Sequence, residues 1–306
     1  MLKKIFDELA GLSTEQRNPR SMNLDAMTVR EILEAMNAED RTVPEIIARA
    51  LPQIEQAVNL IAAAFQAGGR LIYVGAGTSG RLGVIDAAEC PPTFGSDPWQ
   101  VQGFIAGGAD ALVRAAEGAE DSAEQGAHDL DLCALGENDV VVGITASRRT
   151  PYVLGALRFS GEHKVKRVLL ICNDPPPEST EYAEVIISLP VGPELLTGST
   201  RMKAGTATKL VLNMLTTAAW VRTGKCYENL MVDLRQGSMK LKARARKIMI
   251  ELTGCDYEWA DELLNQADNE LKTALVMHWK GVEADHAREM LEEKGGSVRK
   301  VKEDLN

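Results

Sequence analysis

Five short runs of apolar residues lie between residues 71 and 189, and each is bounded by Gly, Pro, Asn or Asp. The runs are LIYV (71–74), VQGFIA (101–106), DVVVGIT (139–145), RVLLICN (167–173) and EVIISL (184–189). Each run is hydrophobic throughout instead of alternating with polar residues, which is typical of strands buried on both faces of a parallel sheet. The pattern therefore predicts five strands of one sheet.

Helical patterns precede these runs and alternate with them. Segment 43–67 carries apolar residues at i, i+3 and i+4 and predicts a long amphipathic helix, and 28–37 predicts a shorter one. Further helices are predicted over 80–88, 109–132, 151–160 and 200–223. Strands that alternate with helices predict an α/β fold, a doubly wound sandwich around a parallel five-stranded sheet. Its ligand site is expected outside the carboxyl ends of the strands, in the loops that begin at Gly75 and Thr145.

From about residue 238 onward the pattern is helical only, and it contains a weak repeat. Segment 254–275 aligns with segment 281–302. The matching pairs are Gly254/Gly281, Ala260/Ala287, Glu262/Glu289 and Leu264/Leu291. Two short helical hairpins of this kind would bury a common face as a small bundle. We therefore divide the chain into an N-terminal helical arm (1–44), a sheet domain (45–237) and a C-terminal helical module (238–306).

Composition narrows the class of protein. A net charge of -10 argues against nucleic acid as a partner, because binding a duplex requires many Lys and Arg. No run approaches the ~20 apolar residues that span a bilayer, so no membrane association is expected. The five cysteines are scattered without a CxxC pair and the four histidines show no ligand spacing. These observations predict reduced thiols, no metal site and a soluble cytoplasmic protein.

The segment 75–80 reads GAGTSG and joins the first predicted strand to a helix. Its GxGxxG spacing is also the fingerprint of a dinucleotide site. That fingerprint needs an acid at the end of the second strand, where this chain has Ile-Ala-Gly-Gly (105–108). Thr78 and Ser79 add two hydroxyls that suit a terminal phosphate better than a closely packed pyrophosphate. We interpret the loop as one that holds a phosphomonoester.

A second loop follows the third predicted strand and carries three more hydroxyls. Thr145, Ser147 and Thr150 precede a helix that Pro151 opens. These hydroxyls can converge on one anion, helped by backbone N–H groups and the positive end of the helix. One such hydroxyl alone would more often be an N-cap. Two hydroxyl-rich loops after adjacent strands are a stronger indication of a phosphate site than either loop alone.

A third loop, GSTRMKAG, precedes the helix predicted over 200–223. Ser199, Arg201 and Lys203 are candidates for closing over a substrate, although the hydroxyls there can equally cap the helix, and the two interpretations are compatible. Glu194, just upstream, is a weaker candidate for contact with a sugar hydroxyl.

The first two loops resemble those of sugar isomerase (SIS) domains, sandwiches that bind phosphosugars. More narrowly, four segments resemble the signature of the N-acetylmuramic acid 6-phosphate etherase family. They are TEQRNPRSMNLD (14–25), GAGTSGRLGVIDAAECPPTFG (75–95), AAEGAEDS (115–122) and ELLTGSTRMKAGTATKLVLNML (194–215). The resemblance covers nearly the whole chain and implies that the C-terminal helices form a small UBA-like module.

The resemblance also implies a reaction. Members of the family cleave the lactyl ether of N-acetylmuramic acid 6-phosphate by elimination across C2–C3 of the open-chain sugar, followed by addition of water. The products are N-acetylglucosamine 6-phosphate and D-lactate, formed in the recycling of cell-wall sugars, and no metal or organic cofactor is implied.

The family's two catalytic glutamates fall on Glu89 and Glu120. Ether cleavage needs an acid to protonate the leaving oxygen and a base to remove the C2 proton. Glu89, beside Cys90 and two prolines, is expected to be partly desolvated, with a raised pKa that suits the acid. Glu120 lies in an acid-rich stretch, and only the resemblance selects it as the base.

The chain departs from the family at one position of the second loop. Arg148 stands where members of the family usually carry Gly, so the resemblance does not fix the phosphate contacts of this loop.

Two alternative functions fit the same loops. One is a phosphosugar-sensing regulator, like the related glucokinase regulatory protein, and the other is a phosphosugar isomerase.

The apolar face of 43–67 is broader than one sheet can cover, which favours a homodimer.

Overall fold

The computed structural model describes Lys3, Phe6 and residues 11–147 and 150–304. The chain divides into two compact units. The first comprises Met1–Ala87 and Trp99–Thr216, and the second comprises Ala88–Pro98 and Thr217–Asn306. Part of the predicted arm (1–44) and Arg148 fall outside the described residues.

Among the described residues of the first unit, two helices precede the first strand, and strands then alternate with helices. In chain order its elements are α1 (Val29–Asp40), α2 (Val43–Gln66), β1 (Leu71–Gly75), α3 (Gly77–Phe94), β2 (Val101–Ile105), α4 (Ala123–Leu132), β3 (Val140–Thr145), α5 (Pro151–Glu162), β4 (Lys166–Ile171), α6 (Ser179–Tyr182), β5 (Val185–Ser188) and α7 (Lys203–Arg222). The last turns of α3 and of α7 belong to the second unit. Thr28 begins α1 with a capping box that it forms with Glu31.

The five strands form one parallel sheet in the order β2-β1-β3-β4-β5. All residues of β1 and β3 are buried, as the unbroken apolar runs predicted. The direction of strand addition reverses between β1 and β3, so a switch point lies between their carboxyl ends. The predicted doubly wound α/β sandwich is confirmed, and each strand lies within two residues of its predicted bounds.

The helix predicted over 109–132 is wrong in its first half. Two short 3-10 turns, Ala109–Leu112 and Ala119–Asp121, replace it before α4 begins. Gly118, at φ +76°, interrupts the α-helical path in the left-handed region. The resulting irregular segment carries Glu120.

The apolar face of α2 is covered within the chain. Ile47, Ile54, Ile61 and Phe65 are buried, and the helix packs against β1, β3 and β5. The expectation that one sheet cannot cover this face is therefore wrong, and Leu51 alone among its predicted apolar positions is an exposed side chain. None of the helices that the structure describes is long and apolar enough to cross a membrane.

In the second unit a two-stranded ribbon precedes five helices. The elements are β6 (Cys226–Tyr227), β7 (Leu230–Met231), α8 (Met239–Thr253), α9 (Tyr257–Gln266), α10 (Leu271–Lys280), α11 (Ala284–Glu293) and α12 (Val298–Glu303). The sequence pattern did not predict the ribbon, whose strands are only two residues long.

The predicted internal repeat is confirmed as two helical hairpins, α9–α10 and α11–α12. Each is preceded by a glycine in the left-handed region, Gly254 and Gly281. Their inter-helix turns also match, because 268–269 and 295–296 all have positive φ. The N–H of the last turn residue donates to the carbonyl of the equivalent leucine in each copy, at 2.7 Å. The apolar faces of both copies contribute to one hydrophobic cluster.

Candidate active site

A cavity of about 730 Å³ lies at the carboxyl ends of β1 and β3. Its lining comes entirely from the first unit. The loops after both strands, the turn Ala119–Asp121, the start of α7 and two residues of the N-terminal arm contribute to it. This is the switch point at which the sequence predicted the ligand site.

The first loop is shaped by the close approach of two glycines. A Cβ on Gly75 would lie 2.6 Å from the backbone nitrogen of Gly80, and a Cβ on Gly80 would lie 2.6 Å from the carbonyl oxygen of Gly75. Only glycine fits at either position, so the strand turns at once into α3. Thr78 and Ser79 stand in the first turn of that helix and line the cavity. The first N–H groups of a helix have no intrahelical partner and favour an anion.

The second loop brings its three predicted hydroxyls together. The Oγ1 atoms of Thr145 and Thr150 lie 2.7 Å apart, and the Oγ of Ser147 lies 3.5 Å from that of Thr150. The backbone N–H of Ser147 also donates to the hydroxyl of Thr145 at 3.2 Å. All three residues line the cavity, directly before the N-terminus of α5.

Of the acid-rich stretch, Glu120 and Asp121 line this cavity, whereas Glu117 and Glu124 are not among its lining residues. Glu120 is exposed to solvent on the 3-10 turn that follows Gly118. Of these four carboxylates, only the neighbours Glu120 and Asp121 are therefore placed to contact a ligand in this cavity.

Glu89 is not among the residues that line the cavity, and it belongs to the second unit. Its side chain is exposed, and Ile85, one turn earlier on α3, is exposed as well. Asp86 and Cys90 point inward from the same turns and are buried. The expected desolvation of Glu89 is not seen within the single chain, because the residue lies on the outward face of its helix.

The third loop separates into structural and cavity-lining residues. The carboxylate of Glu194 is buried and accepts hydrogen bonds from the backbone N–H groups of Lys203 and Ala204, each at 3.0 Å. Burial raises the pKa of Glu194, opposed by these hydrogen bonds. Glu194 thus caps α7 from nine residues upstream, a role for which the sequence offered the hydroxyls of the third loop as one interpretation.

Lys203 is also buried, and its Nζ forms an ion pair with the carboxylate of Glu39. Neither Lys203 nor Glu194 lines the cavity, and Ser199 and Arg201 do not line it either. Thr200 lines it instead, together with glycines of the same loop. The direct substrate contacts predicted for these four side chains are therefore not seen in this cavity.

Leu12 and Glu15 of the N-terminal arm also line the cavity, and the sequence pattern did not predict either of them. Hydrogen bonds to a distant residue hold the segment around Glu15: Ser13 Oγ donates to Asn173 Oδ1 at 3.1 Å. The side-chain amide of the same Asn173 donates to Thr14 Oγ1 at 3.1 Å. The only signal for Glu15 was its place inside the family-like segment 14–25.

Comparisons with known proteins identify a domain type from a family model and a family of close relatives from sequence identity. Residues 53–161 match the model of the glucokinase regulatory protein N-terminal SIS domain. An N-acetylmuramic acid 6-phosphate etherase of Salinibacter ruber is 52% identical, over 96% of this chain and 95% of that protein. The N-acetylmuramic acid 6-phosphate etherase 2 of Vibrio cholerae is 51% identical, over 97% and 96%. Among solved structures, a phosphoheptose isomerase of Neisseria gonorrhoeae is 18% identical with a TM-score of 0.47, covering 61% of this chain and 99% of that one.

Proposed function

This chain belongs to the N-acetylmuramic acid 6-phosphate etherase family, and we infer from that membership that it is a carbon–oxygen lyase acting on N-acetylmuramic acid 6-phosphate. It cleaves the D-lactyl ether and yields N-acetylglucosamine 6-phosphate and D-lactate. The observation that carries this conclusion is identity of about half of all residues with such etherases over nearly the full length of both chains.

We assign the phosphate to the two hydroxyl-bearing loops. Thr78 and Ser79 lie at the N-terminus of α3, and Thr145, Ser147 and Thr150 lie before the N-terminus of α5. Both helix ends present backbone N–H groups and a partial positive charge, which stabilise a dianion without a metal. The convergence of three hydroxyls within 3.5 Å in the second loop supports this assignment.

We propose Glu120 as the base. Its carboxylate accepts the C2 proton, which the neighbouring aldehyde of the open-chain sugar makes acidic. The electron pair of the C2–H bond then forms the C2=C3 double bond while the C3–O bond breaks. The ether oxygen takes a proton and leaves as D-lactate, after which water adds to C3 and a proton returns to C2.

Glu89 is proposed as the acid that protonates the departing oxygen. Its support is the match of DAAECPP to the family signature. Lactate release by Glu89→Gln at the rate of the unmodified protein would exclude it as the acid.

We also propose a cytoplasmic homodimer. Ile85 on α3 and Met214 on α7 are exposed apolar side chains of the first unit that a second copy would cover. Light scattering of the purified protein tests the dimer. The division into 1–44, 45–237 and 238–306, with the last as a UBA-like module, also stays a proposal, which limited proteolysis would test.

The experiment that tests the reaction incubates the purified protein with N-acetylmuramic acid 6-phosphate and measures D-lactate. Release of lactate supports the etherase. Binding of the substrate without lactate would indicate a phosphosugar-sensing regulator instead. Conversion of an aldose phosphate to a ketose phosphate without lactate would indicate an isomerase.

A further inference from the structure

A second, smaller cavity of about 160 Å³ adjoins the candidate active site. The two cavities share a wall made of Ala76, Gly77 and Glu120. Gly77 has φ +52°, and a Cβ built on it would meet no atom within 4 Å. A ligand in the larger cavity can therefore extend a short substituent past this residue into the smaller one.

The lining of the small cavity combines apolar methyl groups with one guanidinium. Ala106, Ala111, Ala115 and Ala116 contribute to it, and Arg81 lies among them. Of the described residues that line either cavity, Arg81 is the only cation. The larger cavity, by contrast, is bordered by several carboxylates, so an anionic substrate has one positive side chain to meet.

Arg81 is held in place by backbone carbonyls rather than by an acid. Its Nε donates to the carbonyl of Leu112 at 3.2 Å, and its Nη2 donates to the carbonyl of Arg114 at 3.0 Å. These two bonds use the side-on edge of the guanidinium. Its end-on fork, made of Nη1 and the second Nη2 hydrogen, has no partner among the residues that the structure describes. This is the edge that binds a carboxylate with two parallel hydrogen bonds.

Resting on the proposed function, we propose that this small cavity is the subsite for the lactyl group, with Arg81 binding its carboxylate. The group comprises a methyl, a CH and a carboxylate, which match the alanine methyl groups and the guanidinium fork. Glu117 and Glu120 also line the cavity, but both are exposed, so water and salt screen their repulsion.

The subsite has a consequence for the reaction. Glu120 forms part of both cavities, so a sugar whose phosphate lies in the large cavity and whose lactyl group lies in the small one passes beside this carboxylate. That placement brings C2, which neighbours the ether-bearing C3, toward the proposed base. Once lactate has left, the product has no group for Arg81, which favours its release.

The test compares two substrates that differ only in charge: N-acetylmuramic acid 6-phosphate and its lactamide analogue, in which an uncharged amide replaces the carboxylate. We expect the unmodified protein to prefer the acid by about 10-fold or more in kcat/KM, as for a charge-assisted pair. In Arg81→Gln this preference should fall to about 3-fold or less, because glutamine offers no charge. The matched control is Arg114→Gln, which removes an exposed guanidinium that lines neither cavity and should keep the preference.

The ratio of kcat/KM for the acid to kcat/KM for the amide distinguishes recognition of the carboxylate from a structural role of Arg81. If Arg81 only holds segment 112–114 in place through the carbonyls of Leu112 and Arg114, the variant will lose activity on both compounds equally and the ratio will not change. That result would overturn the proposal. If Arg81→Gln turns over neither compound, calorimetry measures its affinities for the acid and for the amide, and the ratio of these affinities replaces the ratio of kcat/KM values. Absence of D-lactate from the unmodified protein would instead refute the etherase reaction itself, an outcome distinct from an unchanged ratio in the variant.

Discussion

The Oγ1 atoms of Thr145 and Thr150 lie 2.7 Å apart in a buried hydrogen bond that closes the second loop on itself. Both side chains are less than a tenth exposed. This bond and the hydrogen bond from the Ser147 N–H to the Thr145 hydroxyl keep Ser147 at the cavity before any ligand arrives, so little side-chain entropy is lost on binding.

Removing hydroxyls from the two loops should weaken phosphate binding. We expect Ser79→Ala and Ser147→Ala each to reduce affinity for the phosphorylated substrate by about 1–3 kcal/mol, the usual loss for a hydrogen bond to a charged group. Calorimetry measures this with the reaction product N-acetylglucosamine 6-phosphate, which keeps the phosphate of the substrate and is not turned over. Ser122→Ala is the control: its hydroxyl accepts from the N–H of Gln125 and caps α4 outside the cavity. Unchanged affinity in both loop variants would contradict the two-loop site.

Glu120→Gln should slow lactate release by about 100- to 10,000-fold, the usual contribution of a general base. Substrate binding should be nearly retained, because glutamine has almost the same shape. Glu124→Gln removes a charge from the same stretch at a residue that does not line the cavity, and it should leave the rate unchanged. Equal rates in both variants would remove Glu120 from the mechanism.

Breaking the buried pair of Lys203 and Glu39 should destabilise the fold. Lys203→Met leaves a buried carboxylate whose remaining ion pair is with Arg20, at 3.2 Å, and we expect a loss of about 3–5 kcal/mol in the free energy of unfolding. Urea denaturation measures it. Arg30→Met breaks an exposed pair with Glu34 and should cost about 0.5 kcal/mol or less. Similar losses of unfolding free energy in the two variants would show that burial does not determine how much an ion pair of this protein contributes to stability.

Asp86 should make stability depend on acid pH. Burial raises the pKa of this carboxyl, opposed by Lys209 and by the Tyr73 hydroxyl, which donates to it at 3.0 Å. The folded protein therefore holds the proton to higher pH than the unfolded chain does. The contribution of Asp86 to the free energy of unfolding is most favourable below the pKa of the unfolded state, ~3.9. It falls as the pH rises from there through the pKa of the folded state, and it is constant at higher pH.

Asp86→Asn does not titrate, so it isolates this effect. The unfolding free energy of the unmodified protein minus that of the variant should decrease as the pH rises from about 3.5 toward neutrality. Chemical denaturation at several pH values measures the difference. A difference that increases with pH over this range would mean that the folded pKa is lowered.

The sequence predicted the strands well because their residues are buried on both faces, which leaves an unbroken apolar run whatever surrounds it. It failed over 109–122, where the spacing of small apolar residues imitates a helix but Gly118 adopts a left-handed conformation. It also misassigned Glu194, because a carboxylate that caps a helix nine residues later leaves no local pattern. The place of Glu15 depends on side-chain hydrogen bonds of its neighbours to distant residues such as Asn173, which periodicity does not record.

The contact between Gly75 and Gly80 means that the GxGxxG spacing encodes a backbone distance and not the identity of a ligand. The end glycines let a strand and the following helix approach until no side chain fits between them. Selection can therefore exchange the residues inside the hexapeptide, and with them the chemistry, while the turn itself is inherited unchanged. For enzyme engineering, Thr78 and Ser79 are the positions at which substitutions would change which anion the turn binds.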